Sequence, residues 1–207
     1  MPKLTTPDQV NLNYTDIGSG RPIVMIHGWP LSGAAFADNA KVLAAAGYRV
    51  ITYDRRGFGQ SGKPRDGYDY DTLAADLDAL LTGLDLHDVA LLGFSMGGGE
   101  VARYLATRGS GRVSAAILSG SVCPALCITK DNPDGAMPRE GFQELADACA
   151  ADHFGFVDQF CGWFYSNDQG LAVPEDVRRR AVEIAQQSAP HAAVATNLTW
   201  TEDLRED

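Results

Sequence analysis

Short apolar runs alternate with amphipathic helical segments four times along the first part of the chain. The connections between them are short, and residues 121–200 then show no buried strand. These observations predict a doubly wound, mostly parallel α/β sheet with a helical cap. The elements follow in order. Val10–Asp16 alternates polar and apolar residues and reads as an edge strand. Ile23–His27 and Val50–Tyr53 are continuous apolar runs, as expected of strands covered on both faces. Gly33–Ala46 has a helical pattern ending at Gly47. Asp71–Leu84 places Leu73, Ala74, Leu77, Leu80 and Leu81 on one helical face. Val89–Leu92 is a strand, Gly98–Thr107 a helix and Val113–Leu118 a strand.

After Gly120 the pattern changes. Turn residues at 131–135 precede helical segments near 139–152, 153–165 and 174–188. The division expected is a core over residues 1–120, a cap insertion over 121–200 and, at 201–207, the start of a return to the core. Phe156, Phe160, Trp163 and Phe164 fall on one helical face and read as the interior of the cap.

Composition narrows the class. Apolar residues make up 45% of the 207 residues, ordinary for a globular domain. The formal charge of −10 repels polyphosphate and argues against a nucleic-acid partner. No stretch approaches the roughly 18 apolar residues of a membrane span, and the N-terminus lacks an apolar signal region, so a cytoplasmic location is expected. Cys123, Cys127, Cys149 and Cys161 then read as buried thiols. Cys123 and Cys127 have no histidine close behind them, so no metal site is expected.

The chemistry is concentrated in Gly93-Phe94-Ser95-Met96-Gly97, between a buried strand and a helix. In that context G-x-S-x-G is a nucleophile elbow. The serine occupies a strained turn, and the residues two before and two after it approach so closely that glycine is required. Ser95 is the expected nucleophile, lifted above the carboxyl edge of the sheet. The Met96 amide, at the start of the helix, is free to donate to an oxyanion. His27-Gly28-Trp29-Pro30 follows the neighbouring strand and supplies the second oxyanion donor. Pro30 has no amide hydrogen, so Trp29 is the candidate. His27, just after a buried strand, reads as a brace for this loop rather than as a base. Gly57–Gly62 matches G-x-G-x-x-G after a strand, but no helix begins within the glycines, so a dinucleotide site is rejected.

The segments RPIVMIHGWPLSGAAF, VITYDRRGFGQSGKP and LLGFSMGGGEVARY resemble the cofactor-free haloperoxidase, perhydrolase and arylesterase group of α/β hydrolases. DNPDG, PREGF and NLTWTEDLRED resemble that group's cap. The resemblance runs over essentially the whole chain. It implies a serine hydrolase of small acyl esters, with Ser95 as nucleophile and the Trp29 and Met96 amides as oxyanion hole. It also implies peracid formation from carboxylic acids and hydrogen peroxide, without metal, haem or other cofactor. In that group the triad acid and histidine follow the next two strands. The sequence reaches WTEDLRED where the approach to the first of these is expected, so the C-terminal strands are expected to be missing. His87 precedes the strand leading to Ser95 and falls on the order of 15 Å away. His153 and His191 lie in the cap, and no internal His–Asp pair is expected. Expected partners are a small ester or carboxylic acid, with a complementing C-terminal fragment or a homo-oligomer as further expectations. The rival reading is a non-catalytic chain on a hydrolase fold.

Overall fold

The computed structural model describes residues 2–207. Six strands form one sheet: β1 (Lys3–Thr5), β2 (Asn11–Gly18), β3 (Pro22–Ile26), β4 (Arg49–Tyr53), β5 (Val89–Phe94) and β6 (Val113–Ser119). Their order is β1-β2-β4-β3-β5-β6. β1 and β2 run antiparallel to their neighbours, and the pairs β4–β3, β3–β5 and β5–β6 are parallel. The sheet is therefore mixed and mostly parallel, as expected. The antiparallel strand read from Val10–Asp16 is β2, but β1 covers it, so it is not the edge. Only three residues long, β1 carries too little alternation to be read as a strand.

The side-chain period of two divides the parallel strands between two cores. Val24, Ile26, Ile51 and Tyr53 pack against Ala74, Leu77, Leu80 and Leu81 of α2 (Tyr70–Gly83) and Val101 and Tyr104 of α3 (Met96–Arg108). Ile23, Met25 and Val50 face Ala40 of α1 (Ala37–Ala45), which follows a 3₁₀ turn at Gly33–Phe36. Asp69 caps α2 through the Thr72 amide at 2.8 Å.

Beyond β6 the chain builds a helical cap: α4 (Arg139–Ala151), α5 (His153–Phe164), α6 (Glu175–Ala185) and α7 (Pro190–Thr199). Two pairs of two-residue strands brace its turns: β7 (Cys127–Ile128) with β8 (Met137–Pro138), and β9 (Ser166–Asn167) with β10 (Gly170–Leu171). Phe142, Phe156, Val157, Ala185, Ala192 and Trp200 form a third core against the carboxyl end of the sheet. Phe156 is buried there, but Trp163 and Phe164 are 56% and 50% exposed, so the aromatic face is not wholly interior. α7 went unread in the sequence because its alanines give a weak apolar stripe.

The expectation of a sheet whose C-terminal strands are missing is corrected. The residues after β6, which is the last strand of the sheet, go into helices, the last of which is α7. The segment following α7 is also in place against the body. The Leu204 amide donates to the Pro124 carbonyl at 2.8 Å, and Arg103 Nε donates to Asp207 at 2.6 Å. The absence of a buried strand pattern after Gly120 reflects a change from period-two to helical burial, not a break in the fold.

Candidate active site

Ser95 sits between the end of β5 and the first residue of α3, with φ 52° and ψ −119°. That backbone is costly for a residue with a side chain, at roughly 1–3 kcal/mol. The surroundings hold it there. The Ser95 amide donates to the Ser119 carbonyl of β6 at 3.0 Å, and its carbonyl accepts from the Gly98 amide at 2.9 Å. The glycine spacing has a direct cause. A Cβ on Gly93 would lie 2.5 Å from the Gly97 carbonyl oxygen, and one on Gly97 would lie 2.4 Å from the Ile26 carbonyl oxygen. The first residue of α3 is Met96, so its amide points out of the helix N-terminus without a helical acceptor.

The loop after β3 meets this turn edge to edge. A Cβ on Gly28 would lie 2.9 Å from Ser95 Cβ. His27 is fully buried and fixed at both ring nitrogens: Nε2 accepts from the Arg55 amide at 3.0 Å, leaving Nδ1–H to donate to the Gly28 carbonyl at 2.9 Å. Burial, with the Arg55 charge beside it, holds the imidazole well below its ordinary pKa, so it is neutral. The Leu31 amide also donates to the Gly28 carbonyl, at 3.0 Å. The Gly28–Trp29 peptide is planar, so pinning the Gly28 oxygen aims the Trp29 N–H the opposite way. The Trp29 indole reaches into the cap. Its Nε1 donates to the Ala193 carbonyl at 3.0 Å, and its ring makes edge contacts with Phe156, Phe160 and Trp200.

Ser95 and Trp29 open into one narrow cleft walled by Leu31, Phe94, Phe160, Phe164 and Trp200. None of the four histidines lines it. His27 is committed to its loop, and His87 is exposed beside Asp85. His153 is held between Cys149 and Ser188, and His191 bonds the Pro64 carbonyl. The glycine-rich loop at 57–62 wraps the buried Asp54, which accepts from the amides of Gly33 and Gln60 and from Asn13. Its glycines serve that wrapping: a Cβ on Gly59 would fall 2.4 Å from Asp54 Oδ2.

Sequence reasoning missed the buried charges behind the cleft. Arg55 and Glu100 are both fully buried, with Arg55 Nε donating to Glu100 at 2.9 Å. Burial lowers the Arg55 pKa to about 10 and raises the Glu100 carboxyl well above its usual range. The Tyr53 hydroxyl also donates to Glu100. The available signal was a glutamate one turn into a helix that is otherwise glycine-rich and apolar at its start.

The comparisons agree with this geometry. Residues 21–189 match the family model described as alpha/beta hydrolase fold. The chain is 47% identical over 176 residues to Non-heme chloroperoxidase CPO-A1 of Kitasatospora aureofaciens, across 84% of this chain and 64% of that protein. It is 40% identical to the Non-heme haloperoxidase of Rhodococcus erythropolis, across 99% of this chain and 77% of that one. The crystal structure of bromoperoxidase from Bacillus anthracis superposes with a TM-score of 0.95 at 39% identity, covering 99% of this chain and 75% of that one. The Rhodococcus erythropolis and Bacillus anthracis matches each cover 99% of this chain, so its C-terminal helices have counterparts in both, which corrects the expectation framed on a lacking C-terminal part. Nothing in them supports a complementing fragment or self-association. With a family model matching residues 21–189 and a relative's fold matching 99% of this chain, the chain belongs to the alpha/beta hydrolase fold family.

Proposed function

We propose that this chain is a serine hydrolase of small acyl esters, with Ser95 as nucleophile. The observation that carries the reading is the left-handed Ser95 turn, which opens with Trp29 into a single apolar cleft. The Ser95 hydroxyl attacks the ester carbonyl carbon, and the carbonyl π pair moves to oxygen. The Trp29 and Met96 N–H groups stabilise that oxyanion. Collapse expels the alcohol and leaves an ester on Ser95. Water then cleaves it to the carboxylic acid and restores the hydroxyl; hydrogen peroxide in place of water releases the peracid. The haloperoxidase names of the relatives support this second outcome. The aromatic walls favour a short apolar acyl group, and the chemistry asks for no cofactor. The four free cysteines support a reducing, cytoplasmic setting.

A second reading, a hydrolase-fold chain that acylates but scarcely turns over, is favoured by the absence of histidine from the cleft. A serine without a neighbouring base loses about 10⁴- to 10⁶-fold in turnover, while oxyanion donors retain part of the enhancement. Incubation with p-nitrophenyl acetate tests both. Acetylation of Ser95 seen by mass spectrometry, absent in Ser95→Ala, supports the nucleophile. Steady nitrophenolate release beyond one equivalent separates turnover from acylation alone. Acetylation elsewhere with Ser95 unmodified would defeat the reading.

A further inference from the structure

The two amides assigned above come from different elements: Trp29 from the loop after β3, Met96 from the start of α3. An oxyanion hole works only if its donors keep a fixed mutual orientation. Packing sets how close the two elements lie, through Gly28 against Ser95 and Gly97 against Ile26. The tilt of the Gly28–Trp29 peptide depends besides on what holds the Gly28 carbonyl, which accepts from the Leu31 amide at 3.0 Å and from the His27 ring at 2.9 Å.

That tilt is held by a chain of buried polar contacts. Glu100 lies four residues after Met96, on the same face of α3. Its carboxylate accepts from Arg55 Nε at 2.9 Å. Arg55 Nη2 donates to the His27 carbonyl at 2.9 Å, and the Arg55 amide donates to His27 Nε2 at 3.0 Å. The His27 ring in turn donates to the Gly28 carbonyl, the oxygen on the same peptide as the Trp29 amide. Arg55 thus grips His27 at both its ring and its backbone while bound to the helix that begins at Met96. Its guanidinium is 1% exposed and the Glu100 carboxylate 0% exposed, so neither is solvated.

We propose that Arg55 and Glu100 are positioning residues that lock the Trp29 amide in register with the Met96 amide. A buried ion pair is a weak device for stability, since apolar residues of similar volume often serve as well or better. A fork that fixes two peptide groups has a use that packing cannot replace. The inference rests on the acyl-transfer reading of Ser95.

Three variants test it through three readouts: thermal stability, the Ser95 acylation rate with p-nitrophenyl acetate, separated into rate constant and substrate affinity, and the affinity for a phenylboronic acid. Glu100→Gln frees the fork and should slow acylation on the order of 10- to 100-fold with affinity within about twofold. Arg55→Lys keeps the charge and the main-chain bond to the His27 ring but loses the guanidinium's bridge from Glu100 to the His27 carbonyl, and should behave alike. The double variant Arg55→Met with Glu100→Leu replaces the pair by apolar side chains and should be more stable than either single variant, although the Tyr53 hydroxyl loses its acceptor. The proposal requires that this folded double variant still acylates slowly. It should also bind a phenylboronic acid, whose tetrahedral adduct on Ser95 mimics the oxyanion, at least 10-fold more weakly. If the double variant recovers both stability and acylation rate, the pair is merely structural and the proposal falls. The same holds if Glu100→Gln is folded and acylates at the parent rate. If Ser95→Ala leaves acylation unchanged, the acyl-transfer reading fails and this inference with it. An intact Ser95 requirement alongside an unaffected Glu100→Gln overturns the inference alone.

Discussion

Two glycines in helices, Gly97 and Gly162, should respond to alanine in opposite ways. Intrinsic helix propensity favours alanine at both by about 1 kcal/mol. At Gly162, in α5, an added Cβ meets nothing within 4 Å, so Gly162→Ala should stabilise by roughly 0.5–1 kcal/mol. At Gly97 the added Cβ would sit 2.4 Å from the Ile26 carbonyl oxygen and 3.0 Å from its carbon. Ordinary contact begins near 3.4 Å, so the start of α3 must retreat from β3 by about 1 Å. Neither atom is the far end of a flexible side chain, and overpacking of this kind costs about 1–3 kcal/mol. The net shift for Gly97→Ala is therefore destabilising, at about 2–4 °C of melting temperature per kcal/mol in a chain of this size. The retreat also carries Ser95 and Met96, and a displacement near 1 Å can cost about 100-fold in rate. Urea titration followed by tryptophan fluorescence gives the stability; Ser95 acetylation gives the rate. If Gly97→Ala stabilises as Gly162→Ala does, or acetylates at the parent rate, the close approach of α3 to β3 does not set the elbow.

Three further outcomes are expected. Arg56 forks onto Asp76 with two bonds of 2.6 Å in a buried site and reaches the more exposed Asp8 at 2.9 Å, so Asp76→Ala, which leaves only Asp8 as partner, should destabilise by about 3 kcal/mol, read from the urea midpoint. Burial holds the His153 imidazole below its ordinary value of 6.5, where it contacts Cys149 and Ser188 and feels Asp152 and Lys63. The unfolded chain therefore takes up the proton first, and stability is lost as the pH falls below 6.5; His153→Gln should flatten that part of the stability–pH curve. Asn197 is buried with neither amide atom bonded to protein, so Asn197→Leu should leave the melting temperature unchanged or raise it, whereas a fall would show the amide to be engaged.

What could be read from the sequence follows from which forces act locally. The parallel strands were legible because Ile23–Ile26 and Val50–Tyr53 are buried on both faces and so carry unbroken apolar runs. The elbow was legible because the contacts that demand Gly93 and Gly97 lie within one turn of chain or on the adjoining strand. The cap was legible as helical, yet its burial was not: Phe160 and Trp163 share a helical stripe, and only the three-dimensional placement of Trp29 and Trp200 decides that Phe160 packs inward. Arg55 and Glu100 were invisible because they are 45 residues apart, and nothing in either local pattern announces the other. The expectation of missing strands came from the family resemblance, which places the triad acid and histidine after two further strands, and not from any pattern within these residues.

Trp29 has a consequence for how far this molecule divides into modules. Its backbone belongs to the sheet's loop, but its ring is owned by the cap, through Phe156, Phe160, Trp200 and the Ala193 carbonyl. A transplanted cap, however well it folds, would have to reproduce that socket or leave the indole unseated. The boundary drawn by secondary structure between sheet and helices is therefore not a boundary along which the protein can be recombined. The smallest exchangeable part includes the loop after β3, and a graft that respects only the helices would leave the cleft beside Ser95 without one of its walls.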